Sequence, residues 1–144
     1  MEEIDKKKWM AQAVAQSTKS GDPHLKVGAV IVCSEGEIDR SIGMGHNCLP
    51  SVFEYLGYKD ENDRTRPEVI HAECEAIRQF IKTRWINKKG NTYRMFSTIS
   101  PCMECAKVIY LNSIHEIYYI KQYKDIKPLE FLKSLGISCQ QLDL

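Results

Sequence analysis

The sequence predicts an α/β fold: one mixed five-stranded sheet covered by helices on both faces, three layers in all. Three observations lead there. Short apolar, β-branched runs alternate with longer segments whose apolar residues recur at helical spacing. Only the first two strands are joined by a tight turn, Ser34-Glu35-Gly36, so that pair is expected to be an antiparallel hairpin. The later strands are joined through helices and are expected to run parallel. With 144 residues, 43% of them hydrophobic, the chain can fill one core, and residues 1–144 read as a single domain.

Taken in order, Asp5 is expected to cap a first helix running to about residue 20, with Trp9, Met10, Ala13, Val14 and Ser17 on its inner stripe. Gly21-Asp22-Pro23 ends it. Residues 27–33 are continuously apolar and read as a buried strand, with a partner strand over residues 37–44. From Cys48 to Glu68 periodicity is lost, and aromatic residues mix with charges, which predicts a long functional loop. A second helix opens at His71 and carries Glu73, Ile77, Phe80, Ile81 and Trp85, closing at Asn87-Lys88-Lys89-Gly90. A third strand covers residues 93–99, Pro101 breaks it, and a third helix follows from Cys102 to about Leu111, with Ala106, Ile109 and Tyr110 inward. A fourth strand spans residues 116–120, Pro128 starts a last helix, and Gly136 leads into a fifth strand over residues 137–142.

Composition narrows the function. Twenty basic against 19 acidic residues give a formal net charge of +1, which argues against a broad face for polymeric nucleic acid. The first residues lack the apolar core of a signal peptide and no run approaches membrane-spanning length, so a cytoplasmic protein without membrane attachment is expected. Of six cysteines, two form a metal-type C-x-x-C and the others show no framework spacing, so reduced thiols are expected.

The chemistry is concentrated in two stretches, His71-Ala72-Glu73 and Pro101-Cys102-Met103-Glu104-Cys105. One His and two Cys are three zinc ligands, and three protein ligands with an open fourth position characterise a catalytic zinc. Zinc lowers the pKa of water from 15.7 to roughly 7 in the best-known sites, which makes a nucleophile available at neutral pH. Cys102 and Cys105 lie one helical turn apart at a helix start, where the dipole favours thiolates. Glu73 follows His71 closely enough to reach whatever fills the open position, and is expected to carry protons to and from it. A C-x-x-C alone is more often a structural zinc or a redox pair; the order H-x-E then P-C-x-x-C, each opening a helix, is the known signature of zinc nucleobase deaminases.

On these motifs the chain resembles the cytidine deaminase superfamily, and within it the deoxycytidylate (dCMP) deaminases. The resemblance extends over nearly the whole chain: Lys26-Val27-Gly28-Ala29-Val30-Ile31 is similar to that family's first strand, Gly43-Met44-Gly45-His46-Asn47 to its G-x-N turn, and Ser100 to Lys107 to its second zinc motif. Free-cytidine deaminases usually carry Pro-Cys-Gly-x-Cys and tRNA adenosine deaminases Glu-Pro-Cys-x-Met-Cys; neither matches. The chain departs from the family in having Cys48 where Gly usually follows the Asn, and Glu75 where Asn is common.

The resemblance implies a cytidine deaminase-like fold and hydrolysis of dCMP to dUMP and ammonia, supplying dUMP for thymidylate synthesis. Alternatives are the same chemistry on dCTP as well as dCMP or on a 5-substituted dCMP, or, in a different class, a catalytically silent zinc-stabilised module that binds nucleotide or a partner. It implies one Zn²⁺ per chain on His71, Cys102 and Cys105, with Glu73 catalytic. Asn47 would hold the sugar or phosphate, the backbones of Ala72 and Ser100 the base edge, and Tyr123 would pack on the nucleotide or simply in the core. Lys26 and Lys124 are either 5′-phosphate ligands or solvated surface lysines. A homo-hexamer, with dCTP and dTTP as effectors bound near the insert and Mg²⁺ accompanying a triphosphate, is implied in the same way.

Overall fold

Strand β1, Gly28–Glu35, is an inner strand buried along nearly its whole length, and its alternation sorts the core into two layers. Side chains alternate across a strand, so Ala29, Ile31 and Cys33 face one way and Val30 and Val32 the other. The first set packs with Ala76, Ile77 and Phe80 of α2 (Ala72–Lys82), Ile109 of α3 (Met103–Leu111) and Leu132 of α4 (Lys127–Ser134). The second packs with Met10 and Ala13 of α1 (Glu3–Ser17), together with Phe96, Tyr118 and Leu142. A strand covered on both faces has no polar side to show, which is why it reads as an unbroken apolar run. Residues 1–83 and 89–144 are described in this structure, a computed structural model.

The sheet has five strands in the order β2-β1-β3-β4-β5, with β2 spanning Ile38–His46, β3 Thr92–Ile99, β4 Glu116–Lys121 and β5 Ser138–Gln141. β1 is antiparallel to both β2 and β3, whereas β3, β4 and β5 are mutually parallel. β2 and β3 therefore point the same way across β1, as a helical crossover requires. The consequence for the site is geometric. The end of β2, the start of β1 and the end of β3 lie at one edge of the sheet, with Gly28 opposite His46 and Ala29 opposite Ser97. The α/β fold and mixed sheet expected from sequence are both present.

Several details differ from expectation. Asp5 does not cap α1; the cap position is Glu2, without a side-chain bond, and Asp5 lies inside the first turn. Val14, Ile81 and Tyr110 are exposed, because the inner stripes of their helices are narrower than the apolar periodicity suggests. The loop from Cys48 holds a 3₁₀ helix, Ser51–Leu56, and is closed at its base by paired backbone bonds between Cys48 and Ile70. Trp85, Asn87 and Lys88, expected at the end of the second helix, lie outside the described residues. No helix among the described residues is long and apolar enough to cross a membrane.

Candidate active site

Two helix starts face each other at that sheet edge. His71 is the N-cap of α2 and Cys102 the N-cap of α3, both with extended backbone, and Cys105 sits in the first turn of α3. The approach of α2 to the sheet is set by two glycines of β2: a Cβ on Gly43 would lie 2.2 Å from the Ala76 carbonyl oxygen, and one on Gly45 would lie 2.4 Å from that of Ala72. Only residues without a side chain allow the helix this close.

The result is a compact donor set. His71 Nδ1 lies 3.3 Å from Cys105 Sγ and 3.5 Å from Cys102 Sγ, and the three donor atoms all fall within 4.8 Å of one another. Tetrahedral zinc, with Zn–N near 2.0–2.1 Å and Zn–S near 2.3 Å, would hold nitrogen and sulfur about 3.6 Å apart, so the set fits that ion. Its electrostatics agree. The Cys102 thiol is pulled down to about 4, first by a hydrogen bond from Cys105 and then by His71. His71 is pushed up to about 9 by its bond to Cys102, and Cys105 is driven upward because it holds the shared proton against Cys102 and Cys74. A thiolate held low and a thiol and imidazolium crowded beside it make a cluster that a dication would relieve.

Glu73 is 4% exposed and borders the same cavity. Burial pushes its carboxyl up to about 6, opposed in part by its own backbone N–H and by His71. A carboxyl in that range can both accept and return a proton near neutral pH. The cavity encloses about 670 Å³ including its open mouth and is lined by Asn47, His71, Ala72, Glu73, Ser100, Cys102 and Tyr123, all singled out in the sequence. Six further lining residues were not: Asp22, Leu25, Val27, Thr65, Val69 and Ile99.

Their backbones are already partly committed. Asn47 Oδ1 accepts from Val27 N at 2.9 Å and its Nδ2 donates to the Leu25 carbonyl at 2.7 Å, so this side chain ties the end of β2 to the segment entering β1. Ser100 N donates to the Lys121 carbonyl, which leaves its own carbonyl as the backbone group to offer a ligand. Its Oγ accepts from Tyr123 N at 2.7 Å, fixing a tyrosine that is 48% exposed at the mouth rather than in the core. Ala72 opens α2, where the first N–H groups have no helical partner. Asp22 is buried because it folds the turn before β1, accepting from His24 N and Leu25 N. Gly-Asp-Pro signals such a turn, but nothing in it signals a cavity wall. Lys26 and Lys124 do not line the cavity: Lys26 Nζ donates to the Ser20 carbonyl, and Lys124 is exposed.

Comparison with known proteins agrees with this geometry. A family model described as the cytidine and deoxycytidylate deaminase zinc-binding region matches residues 3–121. The deoxycytidylate deaminase of Pongo abelii is 35% identical over 127 residues, covering 81% of this chain, which spans 65% of that relative's length. ComE operon protein 2 of Bacillus subtilis is 31% identical over 94% of this chain and 70% of its own. The crystal structure of dCMP deaminase from the cyanophage S-TIM5, in complex with dCMP and dUMP, superimposes with a TM-score of 0.82 at 26% identity, covering 99% of each chain. With a zinc-binding model matched over most of its length and a His, Cys, Cys cluster at the expected helix starts, the chain belongs to the cytidine and deoxycytidylate deaminase family.

Proposed function

We propose that this protein is a zinc-dependent deaminase that hydrolyses dCMP to dUMP and ammonia, and so supplies dUMP for thymidylate synthesis. The observation that carries the reading is the placement of a buried, proton-ready Glu73 in the cavity that His71 and Cys102 line, with the buried Cys105 completing their donor set. A closed structural zinc site has no use for a carboxylate there. In this reading residues 1–144 act as one catalytic domain, and one zinc ion per chain is held by His71, Cys102 and Cys105. The ion, when bound, acidifies water enough to supply a nucleophile at neutral pH.

The chain's own residues do the rest. Glu73 accepts a proton from the attacking water, delivers it to N3 of the cytosine ring, and then helps protonate the departing ammonia. The Ala72 N–H, in the first turn of α2, and the Ser100 carbonyl, both on residues that line the cavity, read the polar edge of the base. Tyr123 packs on the nucleotide at the mouth, where an aromatic ring fixed through its backbone offers a preformed apolar face. Asn47 shapes the sugar end of the pocket. The 5′-phosphate lies toward the open mouth, with Lys124 just beyond Tyr123 as its cationic contact; Lys26, bonded to Ser20, is the weaker choice. The likeness to the S-TIM5 enzyme supports a nucleotide substrate.

The test is a substrate panel of dCMP, deoxycytidine, dCTP and 5-methyl-dCMP, monitored for ammonia release by the zinc-loaded protein. The highest kcat/KM is expected for dCMP. Deoxycytidine turned over as well as dCMP would remove the nucleotide assignment, and no ammonia from any of the four would remove deamination.

A further inference from the structure

A thiol that the donor set does not need stands against it. Cys74 Sγ lies 3.8 Å from Cys105 Sγ, across the gap between α2 and α3. The group of His71, Cys102 and Cys105 is complete without it, and Cys74 falls outside that mutual cluster. Cys105 is 1% exposed, whereas Cys74 is half-buried and so the more accessible member of the pair. Among the described residues, no thiol–thiol contact like that of Cys74 and Cys105 is seen for Cys33, Cys48 or Cys139: Cys33 meets the Asn91 amide and Cys139 the Ile137 carbonyl.

We propose that Cys74 is a peroxide-sensitive thiol that forms a disulfide with Cys105 and thereby discharges the metal. The proposal rests on the ligand assignment above. The Cys74 sulfur attacks one oxygen of hydrogen peroxide; an S–O bond forms, the O–O bond breaks, and hydroxide leaves, giving a sulfenic acid. The Cys105 sulfur then attacks the Cys74 sulfur; the S–S bond forms, the S–O bond breaks, and a second hydroxide leaves. The Cys74 thiol proton converts one hydroxide to water; Cys105, a thiolate while it holds the ion, has no proton to give, so solvent protonates the other hydroxide, and the two sulfurs together lose two electrons while one peroxide is reduced. A disulfide sulfur is a poor ligand, and only His71 and Cys102 remain of a three-residue set, so the ion departs. Dithiol reductant reverses the bond. Placed between two helices rather than within one, the link joins α2 to α3 and holds both helix starts together after the metal has gone.

The experiment treats zinc-loaded protein with hydrogen peroxide, follows zinc with a chromogenic chelator, and maps disulfides by mass spectrometry of non-reduced peptides. Wild type should release zinc while a Cys74–Cys105 crosslinked peptide accumulates, and dithiothreitol with added zinc should restore the starting state. Cys74→Ser and Cys74→Ala, both checked for fold by circular dichroism, should release zinc at least several-fold more slowly. Zinc release at the wild-type rate from both variants, or a map showing Cys102 joined to Cys105 instead, overturns the proposal. In cobalt-substituted protein the thiolate charge-transfer band should be the same in wild type and Cys74→Ser; loss of one thiolate's intensity would make Cys74 a metal ligand and also overturn it. The crosslink is read without any turnover assay, so its failure is separable from failure of the deaminase reading.

Discussion

Gly45→Ala tests whether the packing of α2 on the sheet positions the chemistry. The added Cβ would stand 2.4 Å from the Ala72 carbonyl oxygen, 2.7 Å from the Ala76 nitrogen and 2.9 Å from the Glu75 Cβ. Ordinary contact begins near 3.4 Å, so the first turn of α2 must retreat by about 1 Å. Ala72 lies between His71 and Glu73, and both move with it. Overpacking of this kind costs about 1–3 kcal/mol of stability. A displacement of about 1 Å at a reacting constellation costs on the order of 10²-fold in rate. Denaturant titration, bound zinc and kcat on dCMP per folded molecule measure the two effects separately. Gly36→Ala is the control: it sits in the β1–β2 turn at φ +61° with nothing within 4 Å, so it loses about 1 kcal/mol to backbone strain and leaves kcat per folded molecule unchanged. Wild-type kcat and stability in Gly45→Ala would refute the reasoning, as would an equal loss of kcat in both variants.

Other outcomes follow from the same geometry. Glu73→Gln keeps shape, fold and zinc but cannot carry the proton, so kcat should fall by about 10²- to 10⁴-fold; a variant within a few-fold of wild type would take Glu73 out of the mechanism. Asn47→Ala strips partners from Val27 N–H and the Leu25 carbonyl, costing about 1–3 kcal/mol for each group left unsatisfied and raising KM for dCMP; an unchanged melting temperature would contradict this. Zinc binding displaces protons from Cys105 and from His71, whose metal-free pKa is raised to about 9. Apparent affinity measured by chelator competition should therefore rise with pH, the His71 contribution to that rise ending above about 9, and a pH-independent affinity would show that neither proton is displaced.

The site was more legible in the sequence than the cavity around it. Its candidate metal-binding residues sit at two helix starts, and each start is written locally: His71 followed by a periodic apolar run, Pro101 following β3 before Cys102. β1 was equally plain, because a strand buried on both faces reads as a continuous apolar run. What could not be read is what chain reversal brings together. That β1 lies between β2 and β3 is a non-local pairing. Asp22, Thr65 and Val69 reach the cavity only because a turn before β1 and a loop closed at Cys48 and Ile70 fold back over it. The misplaced Val14, Ile81 and Tyr110 have a different cause: apolar periodicity says which residues share a helix face, not how much of that face a neighbour covers.

The most direct measurement is a zinc titration of metal-free protein in the presence of dCMP, with dUMP formation and bound metal followed together. Turnover should be absent without zinc, rise in proportion to zinc bound, and level off at one ion per chain. Equal turnover by the metal-free protein, or full zinc loading with no dUMP formed, would contradict the account.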